Sequence, residues 1–376
     1  MRASPPPILL VSHKANRSGA PLLLLDIAKA LKERQVAKFA ILCMEDGELV
    51  SEFEQIGQTF LWKKNGSTSR AGQIARSLFI LYQLRKFRIF FLNTIVHGHL
   101  QNKLKRFSRK SVCYVHELEA AIQMLTNEKG REHAFALTDS FVAVSEAVKE
   151  NLVHKHAVRP EKIKVLASPV AVTHRSATDH SDFVKAFRLQ HRIGKGKIFG
   201  VLGNAEWRKG FDLLVPLVTA YFHLYPESED VFVWKGFHFS SYSSFSDSYD
   251  LQKSAVKDRI VLLPHGPDSM EHLACFDVHL LLSREDPYPL ATLEAASFGI
   301  PTICFEGSGG TTEFVEEDCG FSVPYGNLIS MAEKLKLLAT DDKLRSAQGA
   351  RCREKLLLRH EKSRAMEAII NTMKIF

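Results

Sequence analysis

Apolar residues along this chain gather into short continuous runs, and several of the segments between them show apolar positions at helical spacing. Short apolar runs bounded by turn residues read as buried strands. In the first half these runs are Pro7–Ser12, Lys38–Met44, Thr59–Trp62, Ile89–Leu92, Ser111–Val115, Ser140–Ser145 and Lys162–Leu166. Helices are predicted over Leu22–Arg34, opened by Pro21, and over Glu48–Ile56, Ser67–Arg85 and Glu146–His154, the last capped by Ser145. Strands alternating with helices in this way predict a doubly wound parallel sheet.

The second half repeats the pattern. Strands are predicted at Ile198–Leu202, Val231–Gly236, Ile260–Leu263, Val278–Leu282, Thr302–Phe305 and Phe321–Pro324. Helices are predicted at Phe211–Tyr225, Met270–Cys275, Leu290–Phe298, Leu328–Leu338 and Lys343–Leu358, with Gly299 closing the third. The polar stretch Pro169–Ser181 reads as a linker, followed by a helix over Asp182–His191. Phe237–Ser248, rich in Ser, Phe and Tyr, reads as a loop. The predicted organisation is a first domain over 1–170, a linker over 171–195, a second domain over 196–355 and a terminal helical segment over 356–376.

Composition narrows the class without naming the chemistry. The 376 residues are 45% hydrophobic and 24% charged, a globular balance with room for two domains. No apolar run reaches the roughly 18 to 20 residues that span a bilayer. The stretch Ile8–Val11 is too short for a signal-peptide core, so a cytoplasmic location is expected. The six cysteines are scattered without metal or disulfide spacing. The net charge of +8 favours an anionic partner. The basic clusters at Lys103–Lys110 and Arg85–Arg88 read either as solvated surface or as peripheral contact with an anionic membrane at its inner face. Nothing resembles a nucleic-acid module, and no nucleic-acid partner is expected.

Three strand ends carry candidate chemistry. After Val278–Leu282 comes a turn with Pro287 and Pro289, then the helix that starts at Leu290. A helix N-terminus suits a phosphate or a sugar hydroxyl. Asp286 stands before that helix, and Glu294 inside it can accept two hydrogen bonds from a vicinal diol such as a ribose. The plain alternative is a helix cap and a solvated acid. After Ile198–Leu202 comes Gly203–Gly210, with Arg208 and Lys209 at a strand-to-helix turn, suited to the concentrated charge of a pyrophosphate. The plain alternative is a basic surface turn. His116 ends the strand Ser111–Val115 and points into a cleft or serves as a structural histidine. The turn Ser18–Pro21 contains Gly19 but not the GxGxxG fingerprint, which removes the main support for a dehydrogenase.

Asp286, seven residues and then Glu294 resemble the acid-seven-acid signature of retaining glycosyltransferases with the GT-B fold, the large family 4. That family usually has Glu at the first position, where this chain has Asp286. Many of its members carry Arg right after the strand glycine, where Asn204 stands here and Arg208 is the candidate replacement. The resemblance implies two Rossmann-like domains facing each other across a cleft, with the first binding the acceptor. It also implies a C-terminal helix that crosses back to the first domain. It implies a nucleotide-sugar donor, with Glu294 on the ribose and Asn204, Arg208 and Lys209 around the pyrophosphate. Asp286 and the Tyr288-Pro289-Leu290 backbone would grip the sugar, and His116 and Gly19 would come from the first domain. The implied reaction retains anomeric configuration, needs no metal and transfers the sugar to a hydroxyl of a glycan or lipid-linked glycan, in cell-surface polysaccharide biosynthesis. A non-catalytic GT-B scaffold that binds a nucleotide or glycan is the alternative.

Overall fold

The computed structural model describes residues 6–63, 70–105, 110–169, 180–237 and 242–374. The chain divides into two compact units, Met1–Pro169 with Ser363–Phe376, and Val170–Lys362.

The first unit is built on seven parallel strands: β1 Ile8–Ser12, β2 Phe39–Cys43, β3 Gln58–Leu61, β4 Ile89–Leu92, β5 Lys110–Val115, β6 Ser140–Ala143 and β7 Ile163–Val165. Their order is β3-β2-β1-β4-β5-β6-β7. Every residue of β1 and β4 is buried, as expected for central strands with both faces covered. Ile8 of β1 pairs with Phe39 on one side and Ile89 on the other. The strand order therefore reverses at β1 and β4. Ligands in such sheets bind outside the carboxyl ends of the strands at this reversal.

The second unit has six parallel strands: β8 Ile198–Leu202, β9 Val231–Phe237, β10 Ile260–Pro264, β11 Val278–Leu281, β12 Thr302–Phe305 and β13 Gly320–Val323. Their order is β10-β9-β8-β11-β12-β13, which reverses at β8 and β11. Trp234, Phe199, Phe232 and Tyr221 fill the core, and the Tyr221 hydroxyl donates to the Asp230 carboxylate. Truncating a buried aromatic of this kind to alanine costs about 3–5 kcal/mol.

Several local expectations are corrected. The first helix runs Gly19–Glu33, so it begins before Pro21 and Gly19 is its first residue rather than part of the turn. Proline is tolerated there because the first-turn N–H groups have no helical partner. Tyr242–Lys253 is helical where a loop is expected, and packing of Leu251 into the core overrides weak propensity. The unpredicted helices Gly98–Leu104 and Glu128–Leu137 pack closely: a Cβ on Gly98 would lie 1.8 Å from the Gly130 carbonyl oxygen. Much of the expected linker, residues 170–179, lies outside the described residues, as do 106–109 of the basic segment. The later part of that linker is the helix Ser181–Gln190, which places Phe187 in the core of the second unit. Asp342–His360 is one helix, and the segment grouped with the first unit starts at Ser363, later than position 356.

Candidate active site

The loop after β8 is shaped by two close backbone approaches. Gly210 has φ +76°, and a Cβ there would sit 2.1 Å from the Leu282 carbonyl oxygen. The β8–helix turn is thereby pressed against the end of β11, which only glycine permits. Gly236, at the end of β9, would likewise place a Cβ 2.3 Å from the Gly203 oxygen. Trp234 Nε1 donates to the Gly203 carbonyl at 2.9 Å and fixes the start of the loop. The Lys209 side chain runs past Gly203, with Cε 3.8 Å from where a Cβ would stand. Asn204 is exposed at the mouth of the loop.

Lys209 Nζ pairs with the Asp286 carboxylate, joining the loops after β8 and β11. Asp286 is 8% exposed by its side chain and Lys209 17%, so the pair is largely withdrawn from water. Ser283 Oγ approaches the same Asp286 oxygen at 3.5 Å. The Asp286 backbone forms an isolated parallel bridge with Gly309, which ties in the loop after β12. Arg208 donates to the Glu285 carbonyl at 3.0 Å and to Glu206 at 2.8 Å, so its guanidinium braces one loop against the other. Arg284 forms a two-pronged pair with Asp212 at 2.8 and 2.7 Å and lies over the Trp207 ring. A further cation stands on the neighbouring strand: Lys235 is 2% exposed and donates to Asp268 at 2.6 Å. That pairing holds the Asp268 carboxyl below its ordinary range. Beneath the site, His279 of β11 is fully buried, and burial together with the Lys209 charge pushes its imidazole down to about 3.

The helix Leu290–Ser297 begins at Pro289 with no side chain capping it. Its first N–H groups are of the kind that bind anions and hydroxyls. Leu290 is exposed, and half-buried Glu294 lies one turn later on the same face. Tyr288 turns away: its hydroxyl meets His360 Nε2 at 2.9 Å and its ring packs on the cluster around Leu293 and Phe314. Only the backbone of Tyr288 remains for the loop. Thr292 and Thr311, near the starts of successive helices, are buried with no hydrogen-bond partner for either hydroxyl. Unsatisfied buried hydroxyls are uncommon and call for an explanation.

The reversal point of the first unit is made of different groups. His116 follows β5, and its Nε2 lies 3.2 Å from Asn93 Oδ1. Asn93, at the end of β4, donates in turn to the Ala20 carbonyl at 2.6 Å, beside the exposed Gly19. Glu117 is buried, hydrogen-bonded to Thr94 Oγ1 and to its neighbour's N–H at 2.9 Å. Burial outweighs those bonds and raises its carboxyl pKa. His97 is 4% exposed with Nε2 unpartnered, and His13 has an unpartnered Nδ1. Burial, helped by His13, pushes both His97 and His116 down to about 3. These imidazoles are neutral near pH 7.

Residues 184–355 match the model of the family described as glycosyl transferases group 1. Those residues form a glycosyl transferases group 1 domain. The whole chain has the fold of Anabaena HepE, solved in complex with UDP-glucose: the TM-score is 0.82 at 16% identity, over 99% of this chain and 100% of that one. It is also similar to an Escherichia coli UDP-Gal:alpha-D-GlcNAc-diphosphoundecaprenol alpha-1,3-galactosyltransferase, 24% identical over 84% of each chain. The capsular polysaccharide biosynthesis glycosyltransferase CapM of Staphylococcus aureus is 21% identical over 59% of this chain and 57% of its own. The chain spans about half the length of most of the curated relatives it matches. The architecture is GT-B, two parallel-sheet α/β units.

Within this group 1 domain, the fold brings Lys209, Arg208 and Asp286 together and sets Glu294 on the helix that follows Asp286. Lys235 escaped the sequence reading, although a lysine inside the run Val231–Trp234 and Gly236 is a signal of a buried cation. In the first unit His13 and His97 belong to no sequence motif that marks them. Their placement at the ends of β1 and β4 shows only once strand order is known.

Proposed function

We propose that this chain is a retaining, metal-independent glycosyltransferase that moves a sugar from a nucleotide-diphosphate sugar to a hydroxyl of a glycan acceptor. Cell-surface polysaccharide biosynthesis is the setting we infer, with a lipid-linked glycan as one form of acceptor. The observation that carries the proposal is the withdrawn Lys209–Asp286 pair at the reversal between β8 and β11. A cation held there, beside an uncapped helix start, is a counter-charge awaiting an anion.

On donor binding Lys209 exchanges Asp286 for the diphosphate. Asp286 is then released to accept hydrogen bonds from sugar hydroxyls, aided by the Tyr288 and Leu290 N–H groups. Glu294 takes the ribose diol. Asn204 and Arg208 hold the loop that surrounds the phosphates. As the bond from the anomeric carbon to the diphosphate oxygen breaks, charge grows on the leaving group. Fixed cations stabilise that charge without reorganising. The acceptor oxygen bonds the anomeric carbon on the face the diphosphate leaves, and its proton passes to a diphosphate oxygen. From the first unit we assign His116 to the donor sugar and Gly19 to a close backbone approach. Neutral His13 and His97, with Glu117, are suited to acceptor hydroxyls rather than to anions. No metal is required because Lys209 and its neighbours supply the positive charge.

The test is slow donor hydrolysis across a panel of UDP-, GDP-, ADP- and TDP-sugars with EDTA present, comparing wild type with Glu294→Ala. Release of one nucleotide by wild type, lost in the variant, is expected. Binding without turnover, even with glycan acceptors added, would favour a scaffold. No binding of any donor would overturn the assignment.

A further inference from the structure

We propose that the outward face of the helix Arg70–Leu84 docks the first unit on an anionic lipid bilayer. Ile74, Leu78, Phe79 and Tyr82 of this helix are 56%, 63%, 57% and 63% exposed. At about 100° per residue they fall on one side, opposite the buried Ile80 and Leu84. The helix is thus apolar on its core side and on its solvent side. Among the described residues no other helix contributes more than two large exposed apolar side chains. A patch of this kind marks an interaction surface.

Charge identifies the occupant. Residues 55–116 contain no Asp or Glu and twelve Lys or Arg. The whole chain has 50 basic and 42 acidic residues, which leaves 38 basic against 42 acidic elsewhere. The positive charge of the protein is therefore concentrated in the segment that carries the exposed helix. Lys86 and Arg88, just beyond the helix, are exposed, as is Lys103. An apolar helix face on a basic segment that carries no acid of its own, with exposed Lys86 and Arg88 just beyond its end, is the arrangement that binds a membrane interface. Each basic residue near an anionic surface raises partitioning by roughly fivefold. A second copy of the chain is a poor occupant, because it would bring two segments of strongly positive sequence together. The proposal does not depend on the assigned reaction: partitioning is measured without donor and donor hydrolysis without lipid.

The full chain is floated with phosphatidylcholine vesicles containing about one third phosphatidylglycerol, with neutral phosphatidylcholine vesicles, and with the anionic vesicles at high salt. Wild type is expected on the anionic vesicles at low salt alone. Leu78→Gln with Tyr82→Gln, and separately Lys86→Gln with Arg88→Gln, should each lower partitioning by about tenfold or more. Unfolding midpoints and donor hydrolysis in solution should be unchanged, since all four positions are exposed. Wild-type binding to neither vesicle, or variants that bind like wild type, would overturn the proposal. So would a Leu78→Gln, Tyr82→Gln protein whose only change, by sedimentation, is the loss of self-association or of a protein partner.

Discussion

The two units share a strand order around the point where it reverses, yet they place opposite chemistry there. At β8 and β11 the second unit assembles charge, Lys209 with Asp286 and Arg208 as a brace, with Lys235 and Asp268 paired beside them at the ends of β9 and β10. At β1 and β4 the first unit assembles neutral imidazoles and an amide, His13, His97, His116 and Asn93, beside the buried carboxyl of Glu117. On the proposed reaction, the same backbone crevice would serve an anion in one case and hydroxyls in the other. The chemistry is set by residues at the strand ends and in the loops beyond them, while the sheet fixes their position.

The comparison is broken most severely at Lys209. Lys209→Met should lower kcat by about 10²–10³ through lost stabilisation of the departing diphosphate. It should also destabilise the protein by about 3–5 kcal/mol, because Asp286 is left buried and unpaired. Lys209→Met with Asp286→Leu removes both charges and should recover most of the stability but none of the activity. Urea unfolding and steady-state kinetics separate the two effects. A single variant that keeps wild-type kcat would remove the charge-based side of the contrast.

A smaller loss is expected at Glu294. Replacing it with Gln weakens a charge-assisted pair of hydrogen bonds worth about 1.5–3 kcal/mol, or roughly 10–100-fold in kcat/KM. The loss should appear mostly in the donor KM. A 2′-deoxyribose donor should cost wild type a similar factor and cost the Gln variant little more. Equal losses in both proteins would place the diol elsewhere.

Backbone geometry supports the second unit's loop with a still smaller margin. Gly210→Ala meets the Leu282 oxygen and a left-handed backbone, so it should cost more than about 2 kcal/mol and displace Lys209. Gly307→Ala has φ +68° but open space around the new methyl, and should cost only about 1 kcal/mol. Thermal unfolding of the two variants tests whether close approach or φ alone fixes these loops.

The sheets were legible because buried parallel strands are written as continuous apolar runs, as in Ile89–Leu92 and Thr302–Phe305. The loop after β8 and the Asp286–Glu294 spacing were legible because their residues are local in sequence. What was hidden depends on convergence. Lys209 meets Asp286 across a long stretch of chain, and His13 comes near His97 and His116 only through the strand order. The close-packed helices Gly98–Leu104 and Glu128–Leu137 were missed because a glycine contact, not a periodic apolar face, brings them together. The exposed side of Arg70–Leu84 was missed because a helix apolar on both faces reads as one buried helix.

The first unit's neutrality is tested by acid. His97 has its folded pKa pushed down to about 3, below the ordinary imidazole value of 6.5. Below about pH 6.5 the unfolded chain takes up a proton on this residue that the folded chain refuses. The sign is fixed: stability is lost as pH falls, and the loss continues until the folded pKa near 3 is reached. Between about pH 7 and pH 5.5 this one residue should cost about 1 kcal/mol. Depressed His13 and His116 act in the same direction, and Glu117, with its raised carboxyl, opposes them. His97→Gln should therefore remove about 1 kcal/mol of the acid-induced loss, read as a smaller shift in urea midpoint between the two pH values. A midpoint shift that matches wild type would mean that His97 is protonated in the folded protein. The first unit's crevice would then carry a cation of its own, and the contrast between the two units would fail at that residue.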